Sequence, residues 1–304
     1  MQILAGVFSG AAAGGIAGYI SGGLDTANIS GIDKITFPAD TKTTLSATLT
    51  TARESTGSMA NSGVAGYVGG GEDSGGNLSG IDKITFPADT KSTLVATLSR
   101  AVRRMGSMAN SGVAGYYGGG FDPNGTNVID KITFAADTRS TLAATMSSAD
   151  QPAGMANSGV AGYLCGGAST SAIDKITFPA DTKSTLVATL TTAKRSTAGF
   201  ASSGVAGYIA GGFDTAAVSA IDKITFPADT KSTLAATLTS ARERCAGLAD
   251  SSVGGYIAGG QDSSSTRISA IDKITFPADT RSTLAATLTT ARTVASGMAD
   301  CGVL

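Results

Sequence analysis

A single internal repeat restricts what this chain can fold into more than any other feature. The hexapeptide Ile-Asp-Lys-Ile-Thr-Phe begins at Ile32, Ile81, Ile129, Ile173, Ile221 and Ile271, at spacings of 49, 48, 44, 48 and 50 residues. A second mark, Gly-Tyr-x-x-Gly-Gly, begins at Gly18, Gly66, Gly115, Gly162, Gly207 and Gly255. Six units therefore carry the same two marks in the same order, and a period of this length belongs to stacked repeat architectures in which no unit can bury its apolar face alone.

Within one unit four short strand-like runs can be read. In the copy around residue 120 these are A over 107–114, B over 115–118, C over 129–134 with period-two alternation, and D over 141–146, rich in Thr, Leu and Ala. Between C and D lies Phe-Pro-Ala-Asp-Thr, as at 37–41, where Pro presets φ and Asp can bond its own backbone, so C and D form a hairpin. The Gly pair closing B suits positive φ or close backbone approach. Four strands per unit and six units predict an all-β, six-bladed β-propeller with four antiparallel strands per blade. A solenoid is the competing architecture, but its ends need atypical caps, and the last unit here is as regular as the others.

The expected blades are approximately 16–56, 57–105, 106–152, 153–197, 198–245 and 246–296, making one domain over 1–304. Residues 9–17 make a poor strand A, whereas 297–304 read as a good one with nothing after it. The tail is therefore expected to supply the inner strand of the first blade beside residues 18–21, which removes an open sheet edge. The apolar stretch 1–20 lacks a basic leader, contains five Gly and runs into the first repeat; it reads as part of the fold, and no membrane insertion is expected.

Composition excludes several chemistries. The chain has 22 Lys plus Arg against 23 Asp plus Glu, a net charge of −1, so nothing favours nucleic acid as a partner. It has no His, which rules out Ser-His-Asp and Cys-His catalysis and His-based metal sites. Cys165, Cys245 and Cys301 share no metal-type spacing and read as isolated small apolar residues. No enzyme activity, cofactor or metal site is expected.

The order Gly211-Gly212, then the strand 221–226, then 234–238, then Ala241-Arg242 resembles the kelch repeat. The likeness covers essentially the whole chain, although the Trp that this family carries is replaced by Leu or Thr. The chain also resembles Gly- and Thr-rich kelch-like repeat proteins of tailed bacteriophages, especially those of aquatic cyanobacteria. That resemblance implies a virion component, a tail or capsid appendage contributing to host-surface attachment. Its partners would be other virion or assembly proteins and a host-surface glycan. The alternatives are a lectin-like or protein-binding kelch module, secreted or on a bacterial surface, and a copper oxidase of the kelch-like kind, which the missing His argues against.

In a four-stranded meander the A–B and C–D connections emerge on one face and the B–C and D–A connections on the other. The C–D turn hardly varies: it is Pro-Ala-Asp-Thr in five copies and Ala-Ala-Asp-Thr at 135–138. The B–C loop changes from five to ten residues, and the D–A connection reads Arg53-Glu54-Ser55, Val102-Arg103-Arg104, Asp150-Gln151-Pro152, Lys194-Arg195-Ser196, Arg242-Glu243-Arg244 and Arg292-Thr293-Val294. Variation confined to one rim of a rigid scaffold is the pattern of a recognition surface, and also of unconstrained solvent loops. Candidate ligand-binding residues on that rim are Asp25, Asp73, Asp122, Asp214 and Asp262, with Phe121 and Phe213. The carboxylates can meet calcium or sugar hydroxyls or fold their own loops as Asx turns. The rings can stack on a sugar or pack beneath the loop. The Asp-Lys pair of strand C points to opposite faces and reads as structural.

Overall fold

The computed structural model describes residues 16–148, 150–168 and 170–300. It is an all-β, six-bladed propeller in which every blade is a four-stranded antiparallel sheet. In the third blade the strands are Gly106–Asn110, Ala114–Gly118, Ile129–Thr133 and Thr138–Thr141, labelled A to D outward from the axis. Strands A and B are wholly buried and strand D is exposed, which is why A and B are rich in small, aromatic and other apolar residues and D consists of Thr, Ser and Lys or Arg. In the first blade the inner strand comes from the far end of the chain, as expected. Ser296–Ala299 pairs with Ala17–Ser21, with Tyr19 opposite Met298. The remainder of the expected clasp, 301–304, lies outside the described residues, as does the segment 1–15.

Strand D begins earlier and ends sooner than the sequence pattern suggests. The ladder covers the polar Thr-Arg-Ser-Thr of 138–141, and the apolar run after it leaves the sheet. Leu142 donates to the Ile129 carbonyl at 2.9 Å and Met146 to Asn127 at 2.9 Å, so the chain folds back over the end of strand C and buries Met146. The outer strand has no neighbour on its far side, and its Leu and Met can reach the core only by turning inward. In the sixth blade alone the ladder continues, over Thr280–Thr287 with a bulge between Ala270 and Asp272.

The blades are joined by carboxylates. Each C–D turn presents an Asp at positive φ, as Asp89 at 56°. Its Oδ1 accepts the hydroxyl of the previous blade's strand-B Tyr, and its Oδ2 accepts the ammonium of that blade's strand-C Lys. Tyr19 and Lys34 reach Asp89 at 2.8 and 2.7 Å, and Tyr67 and Lys83 reach Asp137 at 2.8 and 2.7 Å. The contact recurs at every interface and closes on itself, where Tyr256 and Lys273 of the sixth blade both reach Asp40 of the first at 2.7 Å. The Tyr ring also stacks on the Phe that precedes the turn, with Tyr67 and Phe134 centroids 5.1 Å apart.

The other member of the Asp-Lys pair faces the opposite neighbour. Asp82 is buried and accepts the Thr50 amide at 2.8 Å, the Thr50 hydroxyl at 2.6 Å and Arg53 at 2.9 Å, all from the preceding blade, with Thr93 of its own blade at 2.8 Å. Alternation along one strand thus sends Asp backward and Lys forward around the ring. At Asp222 burial opposes ionisation. The Thr191 hydroxyl, the Lys194 ammonium and the Thr191 amide outweigh it and hold the carboxyl down to about 2. Asp33, Asp174 and Asp272 are held low in the same way.

Because these groups titrate lower when folded than when unfolded, the stability they supply is complete above about pH 4 and lost as pH falls through the folded value. Thermal unfolding should therefore be level from pH 7 to about pH 4 and fall steeply toward pH 2. Asp222 alone contributes about 2 kcal/mol. Asp222→Asn should lower the melting temperature at pH 7 and flatten the acid limb. A melting temperature that is the same at pH 6 and pH 2.5 would contradict this assignment.

Candidate functional site at the axial mouth

The varied connections meet around the axis on one face. The first residue after each Gly pair forms a short backbone bridge with the D–A connection beside it. Glu72 and Glu54 exchange two bonds at 3.0 Å, Phe121 and Arg103 bond at 2.7 and 3.1 Å, and Gln261 and Glu243 at 3.0 and 2.9 Å. The third copy follows the same plan when Asp150 is matched to Glu54, since Ala168 donates to its carbonyl at 2.8 Å. The sequence register of that connection is thereby shifted by one, with Gln151 in the place of Ser55.

One residue further on, six amides form a closed circle. Ser55 donates to Val294, Val294 to Arg244, Arg244 to Ser196, Ser196 to Gln151, Gln151 to Arg104 and Arg104 back to Ser55, at 2.7 to 3.4 Å. All six residues have φ between 51° and 60°, and none is Gly or Asn. Left-handed backbone costs on the order of 1–2 kcal/mol at an ordinary residue, and the β-branched Val294 is the most strained of the set. The circle turns the six side chains around one opening. Below it lies a cavity of about 160 Å³ on the axis, walled by residues such as Thr56, Met105, Pro152, Thr197 and Cys245. Burial raises the Cys245 thiol to about 11, which leaves it unreactive.

The floor is a girdle of Ser58, Ser107, Gly154, Gly199, Gly247 and Gly297. The Ser58 hydroxyl donates to the Gly297 carbonyl at 2.6 Å and the Ser107 hydroxyl to the Ser58 carbonyl at 2.5 Å. A Cβ at Gly154 would lie 1.8 Å from the Ser107 carbonyl oxygen, so the inner strands can meet at the axis only where this position is very small.

The mouth is charged and incompletely satisfied. Arg104 and Arg244 lie in the connections that lead into the third and sixth blades, so in a six-membered ring they stand on opposite sides of the opening. Burial raises the Glu54 carboxyl, against the opposing pull of Arg244, Arg103, Arg104 and Arg267. Among the described residues ten buried side-chain atoms lack a hydrogen-bond partner. Six of them lie in these connections: Glu54 Oε2, Arg103 Nε, Asp150 Oδ1, Thr197 Oγ1, Arg267 Nε and Thr293 Oγ1. The rest are the Nε atoms of the structural Arg53, Arg242 and Arg292 and the Tyr117 hydroxyl, deep between blades. Of the six, Glu54 and Thr197 line the cavity; unsatisfied buried groups are rare in folded proteins, and these two at the opening point to a ligand that completes them.

The five aspartates expected from the sequence are not brought together. Asp73 Oδ1 accepts the Gly75 amide at 2.7 Å, Asp122 Oδ1 the Asn124 amide at 3.1 Å, Asp214 Oδ1 the Thr215 and Ala216 amides, and Asp262 Oδ1 the Ser264 and Thr266 amides at 2.8 and 2.9 Å. The Asp25 amide donates to the Ala27 carbonyl at 3.1 Å. At least four of the five thus fold their own loops as Asx turns. No cluster of three or more acidic, Cys or His residues able to hold a metal forms among the described residues. Phe121 packs under Arg103 and Arg104, at 5.1 and 5.8 Å, and Phe213 under Arg195 at 4.9 Å. The axial residues Glu54, Arg104, Thr197 and Arg244 form the stronger group. Their position follows from the positive-φ circle, which the varied D–A sequence marks only as irregular.

No family model and no curated protein matches this chain. A solved structure titled "Structure of YjhT" matches with a TM-score of 0.69 over 87% of this chain and 96% of that one, at 12% identity. The likeness is one of fold, and it agrees with the six-bladed closed ring.

Gly154→Ala should test the girdle. Forcing a methyl against the Ser107 carbonyl is an overpacking change worth about 1–3 kcal/mol, so the melting temperature should drop by several degrees. An unchanged melting temperature would show that the axis is looser than described.

Proposed function

We propose that this propeller is a non-enzymatic binding component of a bacteriophage virion, a tail or capsid appendage. In this reading its varied face contacts the host surface and seats a polar group of a surface glycan in the axial mouth. The observation that carries the reading is the pair of unpartnered buried polar atoms that line that opening, Glu54 Oε2 and Thr197 Oγ1, beside the opposed Arg104 and Arg244. Glu54 Oε2, Thr197 Oγ1 and the paired Arg104 and Arg244 offer both acceptors and donors, the mixture that a hydroxyl- and carboxylate-bearing sugar requires. The resemblance to phage kelch-like proteins supports the virion setting, and a near-uniform opposite face leaves a second surface for assembly partners.

The purified chain on a glycan array, alongside an Arg104→Ala, Arg244→Ala variant, tests this directly. Two charge-assisted contacts are worth several kcal/mol together, so the variant should lose at least tenfold in affinity for any glycan bound, with its melting temperature little changed. Binding that survives the double substitution would place the ligand elsewhere. A soluble bacterial lectin would bind in the same assay without the chain being found on particles by immunogold labelling.

A further inference from the structure

Below the arginines the axial well changes character, and its two unpartnered atoms come from opposite walls. Glu54 lies in the connection into the second blade, whose inner strand is Gly57–Asn61. Thr197 immediately precedes the inner strand of the fifth, Ala198–Ser202. Blades two and five are opposite members of a six-membered ring, and both Glu54 Oε2 and Thr197 Oγ1 are buried without a hydrogen-bond partner. Arg244, from the connection into the sixth blade, acts on the Glu54 carboxyl more strongly than Arg103 and Arg104 of the adjoining third, as it would on a group turned toward the axis. One wall thus offers an acceptor and the other a hydroxyl donor.

The walls between them are apolar. Met105, Pro152, Cys245 and Ala295 hold the place of Thr197 in four of the other connections, and in the fifth Thr56 is already bonded to the Ser296 hydroxyl at 2.7 Å. The well ends at the girdle, where the Ser58 hydroxyl bonds the Gly297 carbonyl and a Cβ at Gly199 would lie 2.1 Å from the Gly154 carbonyl oxygen. It therefore admits the end of a group and not the middle of a chain. Its volume of about 160 Å³ suits a substituent of a few heavy atoms, since a cavity of roughly 150 Å³ lodges a benzene-sized molecule.

A small group with an N–H on one side, a C=O on the other and an apolar end is a terminal secondary amide, planar and trans, so that donor and acceptor point in opposite directions. We propose that the well takes the acetamido group of an N-acetylated amino sugar. Its N–H donates to Glu54 Oε2, its carbonyl accepts from the Thr197 hydroxyl, and its methyl lies among Met105, Pro152, Cys245 and Ala295. This rests on the glycan reading above and names the substituent such a glycan carries. A sugar hydroxyl in the same place brings no methyl to the apolar walls, and Arg104 and Arg244 remain for the rest of the glycan.

Saturation-transfer NMR on the full-length protein tests this with N-acetylglucosamine against glucose and N-acetylgalactosamine against galactose. At least one acetylated sugar should bind about tenfold more tightly than its parent, the gain of roughly one net hydrogen bond and a buried methyl. Its acetyl methyl protons should receive the strongest saturation. Thr197→Val, which removes the hydroxyl at nearly constant volume, should erase most of that preference. Should that variant fail to fold, Ala295→Leu, which fills the well, should do the same. Acetylated and parent sugars bound alike, or a preference that survives the substitution, would overturn this inference and leave the glycan reading standing. If neither kind binds while a glycan array shows other sugars held by Arg104 and Arg244, the acetamido site alone falls; a blank array would remove both.

Discussion

The ring depends on one interaction used twelve times in two forms: a carboxylate of one blade bonded by groups of the preceding blade. Strand C carries a buried Asp that faces backward to a Thr and, at most interfaces, a cation of the preceding blade, as Asp82 to Thr50 and Arg53. It also carries a Lys that faces forward to a turn Asp of the following blade, as Lys83 to Asp137. Each blade is thus tied on both sides through two adjacent residues whose side chains diverge because they sit on a strand. Apolar packing between blades supplies bulk stabilisation but no register. The carboxylates supply register, since a buried charge is tolerated only where its partners are in place.

This explains why the repeat keeps Ile-Asp-Lys-Ile-Thr-Phe and the C–D turn almost unchanged while the other connections drift. The turn Asp must adopt a left-handed φ and aim two oxygens at Tyr and Lys, so its neighbours have little latitude. The D–A connection has its backbone fixed by the circle of six amides, which involves no side chain. Its side chains are therefore free to differ from blade to blade. A symmetric frame then produces an asymmetric opening, with arginines at two opposed positions and Ser, Gln or Val between them.

Much of the architecture could be read from the sequence because it is periodic: six units, four strands, a closing tail and two unlike faces all follow from comparing the copies. What could not be read are contacts whose partners sit in another copy. Tyr256 and Lys273 meet Asp40 across 216 and 233 residues, and only closure brings them together. The pattern puts strand D too late because Leu142 and Met146 look like strand residues, whereas the chain turns inward there, half-burying Leu142 and burying Met146. The loop aspartates stood out because they recur. At least four of them fold their own loops, and the axial residues that differ between copies left only an irregular trace. Glu54 and Thr197 become notable only when burial and missing partners are known.

The most direct test of this account is Asp→Asn substitution, one position at a time, at Asp40, Asp89, Asp137, Asp181, Asp229 and Asp279. Asn tolerates the left-handed backbone and can still accept the Tyr hydroxyl, so the change isolates the charge paired with Lys. Charge-assisted bonds of this kind contribute about 1–3 kcal/mol, and each variant should unfold in a single transition at a similarly lowered temperature, Asp40 no less than the others. Variants that melt like the parent, or a loss confined to one interface, would contradict a ring held by its carboxylates.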